Sequence, residues 1–487
     1  MPMIVTRPRC QRLLLSALLI FPLAAMATIV RSNPPDRFPQ QVAIQKSGIA
    51  NDPAKHFEKL GGVVEVDENK PGRPIIGIYL GRSDATDPDL ALLKNLPSLQ
   101  TLVLNGGNFT DAALGHIKGL TSLTKLKVGE LPISDAALAN VKGLTNLTEL
   151  QLDGTKITDA GLANLAGLVN LQNLNLFKTP ITDAGLAHLQ KLTKLRDLDV
   201  GFTKITDAGL VHLKSMTALE HLGLRFNKIN GSGLANLKGL TKLQSVDILR
   251  TEINDAGLAP LGKLTSLTEL VLTGAKITDA GVAHLKGLTN LRFLDLQYTP
   301  ITDAGLVNLT GMTKLEKLFL ARTKITDAGL VHLKGMTALK WLNVDGTGIK
   351  GTGLANLKGL ANLGDVNVPS DITDAGLAGL KDLTQLYNLD LDNAKITDAG
   401  LAHLAGMKNL KTLGLGNTPI TDGGLAHLKG LSELLVLDLR KTKITDAGLA
   451  HLHGLRKLTH IYLQQTKVTD AGVKALKTAM PKLEIVK

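Results

Sequence analysis

The sequence predicts an α/β solenoid of about 17 stacked units, with parallel strands on a concave face and helices on a convex face. Three observations lead there. One phrase recurs almost word for word: "TPITDAGLAHL" opens at Thr179, "TPITDAGLVNL" at Thr299 and "TPITDGGLAHL" at Thr418, with "TKITDAGL" between them. Its period is fixed. The Asp of T-D falls at 87, 111, 135, 159, 183, 207, 255, 279, 303 and 327, with Gly in its place at 231 and 351. After one step of 23 it resumes at 374, 398, 422, 446 and 470, so 17 units of 24 residues carry a single deletion, in "VNVPSDI". Within each unit the apolar spacing then changes from strand-like alternation to a helical face. Length alone predicts about three domains. A repeat array instead grows along one axis and needs no second core.

In chain order, Arg7, Arg9 and Arg12 precede the apolar run "LLLSALLIFPLAA" and a small-x-small "AMA". That is the layout of an export signal over residues 1–27. An uncleaved anchor is the alternative, since residues 13–30 reach the lower limit of a membrane span. Cys10 is the single cysteine, so the cleaved chain would hold no disulfide, thiolate nucleophile or cysteine–zinc site. Residues 28–50, with "RSNPPDRFPQ", read as a Pro-rich linker. Residues 51–74 read as an N-terminal cap: a short helix in "DPAKHFEKLGG", a strand "VVEV" and turn chemistry in "DENKPGR". The solenoid follows over 75–487.

One unit, "LQNLNLFKTPITDAGLAHLQKLTK", shows the design. Leu174 and Leu176 alternate as the inward side of a strand. Ile181, Leu186, Leu189 and Leu192 form one helical face. Thr182 is placed as helix N-cap, with Asp183 at the positive helix end. Ala184 and Gly185 are small enough for the next unit to approach. Thr179, whose slot holds Thr in ten units, can donate to a buried carbonyl inside the turn. A single unit cannot bury its Leu face alone, so repetition is a packing requirement. A longer period of five units, marked by "TP" at 179, 299 and 418, records block duplication.

The pattern "LxxLxLxxTxITDAGLxxL" resembles the leucine-rich repeat, with Thr where that family often has Asn or Cys. Its T-D-A-G-L portion is similar to the cysteine-containing and GALA-type subclass and to secreted bacterial leucine-rich proteins. The resemblance implies a horseshoe solenoid and a recognition role. By the same analogy, some relatives serve as substrate-recognition arms of ubiquitin ligases. Here no F-box-like segment precedes the cap, and the cleaved chain has no cysteine nucleophile.

Motifs with catalytic overtones dissolve into the repeat. "GTGIKG" at 346–351 matches a dinucleotide fingerprint, but it occupies the slots of "ARTKIT" and "GFTKIT". His116, His188, His212, His284, His332, His403, His427 and His451 share one helix slot with several Asn, which reads as a solvent-facing row and not a metal site. Seventeen equivalent Asp slots cannot be one active site. The expectation is therefore a non-enzymatic protein with no catalytic residue, cofactor or metal.

Net charge is +12, or +9 once the three signal arginines leave. Placement matters more than total. The concave slots, the two outward strand residues and the second and third residues past the strand, hold 13 acidic residues against 10 Lys or Arg. That balance argues against nucleic acid. Of 11 aromatics from Tyr79 onward, nine occupy those slots. The expected partner-binding residues are Phe177, Phe202, Arg225, Phe226, Arg250, Phe293, Tyr298, Phe319, Arg322 and Trp341, aromatic anchors interleaved with arginines. The alternative for Phe177, Phe202 and Phe226 is that they fold over the turn and pack internally. A protein or peptide is the expected partner, with a glycan as the alternative. Export to the periplasm, surface or medium is the expected location, with no membrane span left after cleavage.

Overall fold

The computed structural model describes residues 52–487; the signal and linker segments lie outside the described residues. The described residues divide into two compact units, 52–294 and 295–487, with the strand Phe293–Asp295 at the division.

In the first unit, Asp52 caps the helix Pro53–Lys59 by accepting from the Ala54 N–H at 3.0 Å, with proline at the first helical position. Strand Val63–Val66 then pairs antiparallel with Ile75–Tyr79. From there the strands run parallel, each one repeat from the next: Thr101–Val103, Lys125–Lys127, Glu149–Gln151, Asn173–Asn175, Asp197–Asp199, His221–Gly223, Ser245–Asp247 and Glu269–Val271. The second unit repeats the scheme from Lys317–Phe319 to Glu484–Val486. In each repeat the central strand residue, such as Leu126 or Leu389, is fully buried, and the residues flanking it point to the opposite face. Each unit is therefore a solenoid with a strand face, a helical face and a leucine core between them.

The helices differ from a plain α expectation. Most repeats make one α turn, as at Asp159–Leu162, and then tighten to 3₁₀ geometry, as at Ala163–Leu165; Ser232–Gly239 and Asp327–Leu333 are 3₁₀ throughout. Apolar residues recur at threes, as Leu330 and Leu333 do in the 3₁₀ helix Asp327–Leu333, a spacing that three residues per turn keeps on one side; Asp183–Leu189, with the same spacing at Leu186 and Leu189, stays α throughout.

Two polar ladders run along the repeats, one inside each turn and one that joins neighbouring repeats. In the slot of Thr179, all ten threonines donate their hydroxyl to the carbonyl three residues back, as Thr179 does to Leu176 at 2.6 Å. The T-D aspartates do more than favour a helix end. Asp159 reaches into the next repeat and accepts from both the Thr182 N–H, at 2.7 Å, and the Thr182 hydroxyl, at 2.5 Å. Asp135, Asp183 and Asp255 repeat this in the first unit, and Asp303, Asp374, Asp422 and Asp446 in the second. The glycine of D-A-G-L follows from this ladder: a Cβ on Gly185 would overlap the Asp159 carboxylate.

The two repeats without Asp keep the ladder in another form. Asp207 accepts from the N–H groups of Asn230, Gly231 and Gly233 at 2.8, 3.0 and 2.8 Å, and Asp327 takes the equivalent three. The deletion is absorbed in the turn after Asp365–Asn367, where the Ile372 N–H bonds to the Pro369 carbonyl, and the next strand stays in register. Among the described residues no helix is long and apolar enough to cross a membrane.

Candidate partner-binding surface

The strand face owes its shape to one backbone feature. The third residue past most strands lies at the crest of a turn with positive φ: Glu130, Lys178, Phe202, Phe226 and Arg250 in the first unit, and Tyr298, Arg322, Asn393, Asn417, Lys441 and Gln465 in the second. Gly154, Gly274 and Gly346 occupy the same crest. Glycine and asparagine adopt this left-handed conformation readily, whereas a side chain such as Phe costs about 1–2 kcal/mol there. Phe202 (φ 53°), Phe226 (φ 59°) and Tyr298 (φ 57°) therefore sit where the backbone resists them. They are also the most exposed aromatics described, at 53%, 39% and 49%.

In the first unit three rings form a ladder across consecutive repeats. Phe177 and Phe202 have centroids 6.1 Å apart, and Phe202 and Phe226 meet edge to face at 5.8 Å. Phe177 is half-buried beneath the Arg225 guanidinium, which lies 4.4 Å from its centroid. Internal packing thus holds for part of Phe177 and not for Phe202 or Phe226. Asn227 locks the two crests together: its amide donates to the Val200 carbonyl at 2.8 Å, and its oxygen accepts from the Thr203 N–H at 2.9 Å.

Two expected anchors need correction. Arg225 is only 4% exposed and is not available to a partner. It bridges Asp199 at 2.9 Å and Asp247 at 3.4 Å across adjacent repeats, because Gly201 leaves room for its side chain to lean inward. Burial pushes the Asp247 carboxyl up to about 6, against the Leu249 N–H and Arg225, which favour its ionised form. Phe293 is 8% exposed, in line with the strand ladder and not on a crest, so it is core-like and not an anchor. Arg250 is exposed on its crest.

In the second unit, Arg322 is exposed and lies 5.5 Å from the Tyr298 centroid. Phe319 and Trp341 are half-buried. The Lys317 ammonium covers the Trp341 ring at 4.4 Å, and the Tyr387 hydroxyl is pushed up first by burial and then by Asp365, with Trp341 opposing. Tyr387 lies one residue before its strand, outside the four strand-face slots that the sequence pattern singles out. Its sequence signal was Gly364 at the same slot one repeat earlier, where a Cβ would collide with the Tyr387 ring. Asp365 is raised to about 6 by burial, with Asn388 opposing and Asp390 adding. Asp392 is likewise raised by burial and by Asp390 and Asp438, against Gly416 and Arg440. Most of the histidine row is half-exposed, and no group of metal-ligating side chains occurs among the described residues.

Two profiles described as leucine rich repeat match the chain, one at residues 409–468 and the other at residues 143–166, 191–213, 263–285 and 287–309. No curated protein sequence matches it. Among solved structures, an internalin from Listeria monocytogenes is 29% identical over 72% of this chain and 88% of its own, with a TM-score of 0.50. A Leptospira interrogans leucine-rich repeat protein is 18% identical over 81% and 92%, with a TM-score of 0.53. A TLR13–ssRNA13 complex is 20% identical over 82% and 59%, with a TM-score of 0.54.

Proposed function

The chain is a leucine-rich repeat protein, and from that premise we propose that it is an exported, non-enzymatic recognition scaffold that binds a protein or peptide through its strand face. The observation that carries this reading is the Phe177–Phe202–Phe226 ladder, two of whose rings, Phe202 and Phe226, stand exposed on left-handed crests. Burial cannot account for rings this exposed, and local backbone preference opposes them, whereas exposed aromatics on a rigid frame serve as interface anchors. Tyr298 with Arg322 extends the same chemistry in the second unit. The near-neutral to acidic strand face favours protein over nucleic acid, and the signal-like residues 1–27 support export.

The test is a photo-crosslinker placed at position 178, on the exposed crest beside Phe177, in the full chain expressed in its native host. A discrete crosslinked partner is expected, and it should fall at least about tenfold with Phe202→Asn and Phe226→Asn combined, with thermal stability retained. Undiminished crosslinking in that variant would overturn the reading.

A second reading, glycan binding, is favoured by an open groove in the first unit where the hydroxyl and amide side chains of Ser122, Thr124, Asn146, Thr148 and Gln172 lie together, with Lys70 and Lys194 also in its lining. Binding on a glycan array that survives loss of Phe202 and Phe226 would support it.

A further inference from the structure

The aromatic ladder of the first unit is flanked by opposite charges. Its order along the repeats is Glu130 and Asp153, then Phe177, Phe202 and Phe226, then Arg250. At the acidic end, Asp153 occupies the same slot as Phe177 one repeat earlier and makes no ion pair among the described residues. Its carboxylate leans over Gly129, and that of Glu130 over Gly154, so glycine gaps leave both open to the strand face. Lys178, 3.6 Å from Glu130, is the one cation paired there. Burial raises the Asp153 carboxyl, with Glu130 and Asp199 adding to it and its backbone hydrogen bond and Lys178 opposing. In the middle, Arg225 is already paired with Asp199 and Asp247 and is buried, so it offers a ligand no free charge beside the rings. At the other end Arg250 is exposed, makes no ion pair among the described residues, and has Gly274 beside it on the next crest.

We propose that this crest binds an extended peptide carrying one basic and one acidic side chain about six residues apart, with apolar side chains between them. This rests on the recognition reading above and assigns the partner's chemistry. The spacing follows from geometry. Asp153 and Arg250 lie four repeats apart, which at about 4.8 Å per parallel strand is roughly 19 Å, and an extended chain advances about 3.3 Å per residue. The basic residue lays its aliphatic stem along Phe177 and its charge at Asp153 and Glu130. The apolar residues contact Phe202 and Phe226, and the acidic residue pairs with Arg250. Complementary charges at the two ends fix register, while the rings supply most of the affinity.

The experiment uses four capped heptapeptides with Leu at positions 3 and 5 and Ser elsewhere, differing only at the ends: Lys and Asp, Asp and Lys, two Lys, or two Asp. Titrated against the full chain, the two mixed-charge peptides should bind about fivefold more tightly than either like-charged one. Asp153→Lys should shift the preference to the peptide with two Asp, and Arg250→Glu to the peptide with two Lys. Arg250 is exposed, so its variant decides the matter even if Asp153→Lys does not fold. Phe202→Asn should weaken all the peptides that bind. Equal affinity for all four, with loss in Phe202→Asn, would overturn the charge assignment and leave the aromatic surface standing. Failure of all four to bind would overturn the peptide assignment, and the crosslinking result would then decide the recognition reading separately.

Discussion

At the residue scale, the informative position is the left-handed crest. Asn393 and Asn417 occupy it with a residue type that tolerates positive φ, whereas Lys441 occupies it at 58° without a recorded ion pair. Lys441→Asn is therefore expected to raise stability by about 0.5–1 kcal/mol, read from the urea midpoint. Phe226→Asn relieves the same strain but loses the edge-to-face contact with Phe202, so stability should change little while partner binding falls. That dissociation separates an anchor from a core residue. Asn227 belongs to the opposite class. Asn227→Ala leaves the Thr203 N–H without its acceptor and should cost about 1–2 kcal/mol in thermal or chemical unfolding, because the group is held inside the turn.

At the scale of the repeat element, the Asp–Thr ladder makes one counterintuitive prediction. The repeat pattern invites Asp at position 231, where Gly stands. Gly231 has φ of 99°, and a Cβ there would overlap the Gly257 backbone. Gly231→Asp should therefore destabilise by about 2–4 kcal/mol although it restores the consensus. Asp207→Ala should cost about 3 kcal/mol and more than Asp159→Ala, since it strands three backbone N–H groups where Asp159 serves one N–H and a hydroxyl. Equal losses in the two variants, measured by denaturant unfolding, would show that the ladder is held by something other than these bonds.

At the scale of the whole molecule, buried strand-face carboxylates set the response to pH. Asp247 and Asp365 titrate near 6 in the folded chain against a usual value of 3.8. The folded state then holds protons that the unfolded state has released, so their contribution is full below about pH 4 and is lost as pH rises through 6. Asp446 works in reverse: the Thr469 hydroxyl and N–H lower it, and its contribution is lost only as pH falls below the usual carboxylate range. The melting temperature should rise as pH falls from 7.5 to about 5 and drop again in stronger acid. Asp365→Asn should stabilise at pH 7.5 by about 1–3 kcal/mol and flatten the upper part of that profile. A melting temperature that falls steadily from pH 7.5 to 5 would contradict the burial of these groups.

By itself the sequence determined the periodic parts: the unit length, the leucine core, the buried Thr hydroxyl bonds, the close approach at Gly185 and the place where a deletion could be absorbed. Each follows from spacing along one chain, and seventeen copies state it repeatedly. It also gathered the aromatics onto one face. What it did not contain was which of them a partner can reach. Phe293 and Phe202 occupy strand-face slots alike, yet one is buried in line with the strands and the other stands on a crest. Arg225 reads as a free cation until two carboxylates from flanking repeats are seen to claim it. Those outcomes depend on backbone handedness and on contacts between residues 22 to 26 positions apart, and only tertiary stacking brings such groups into contact, because a one-dimensional pattern specifies which slot a side chain leaves from and not what fills the space above it.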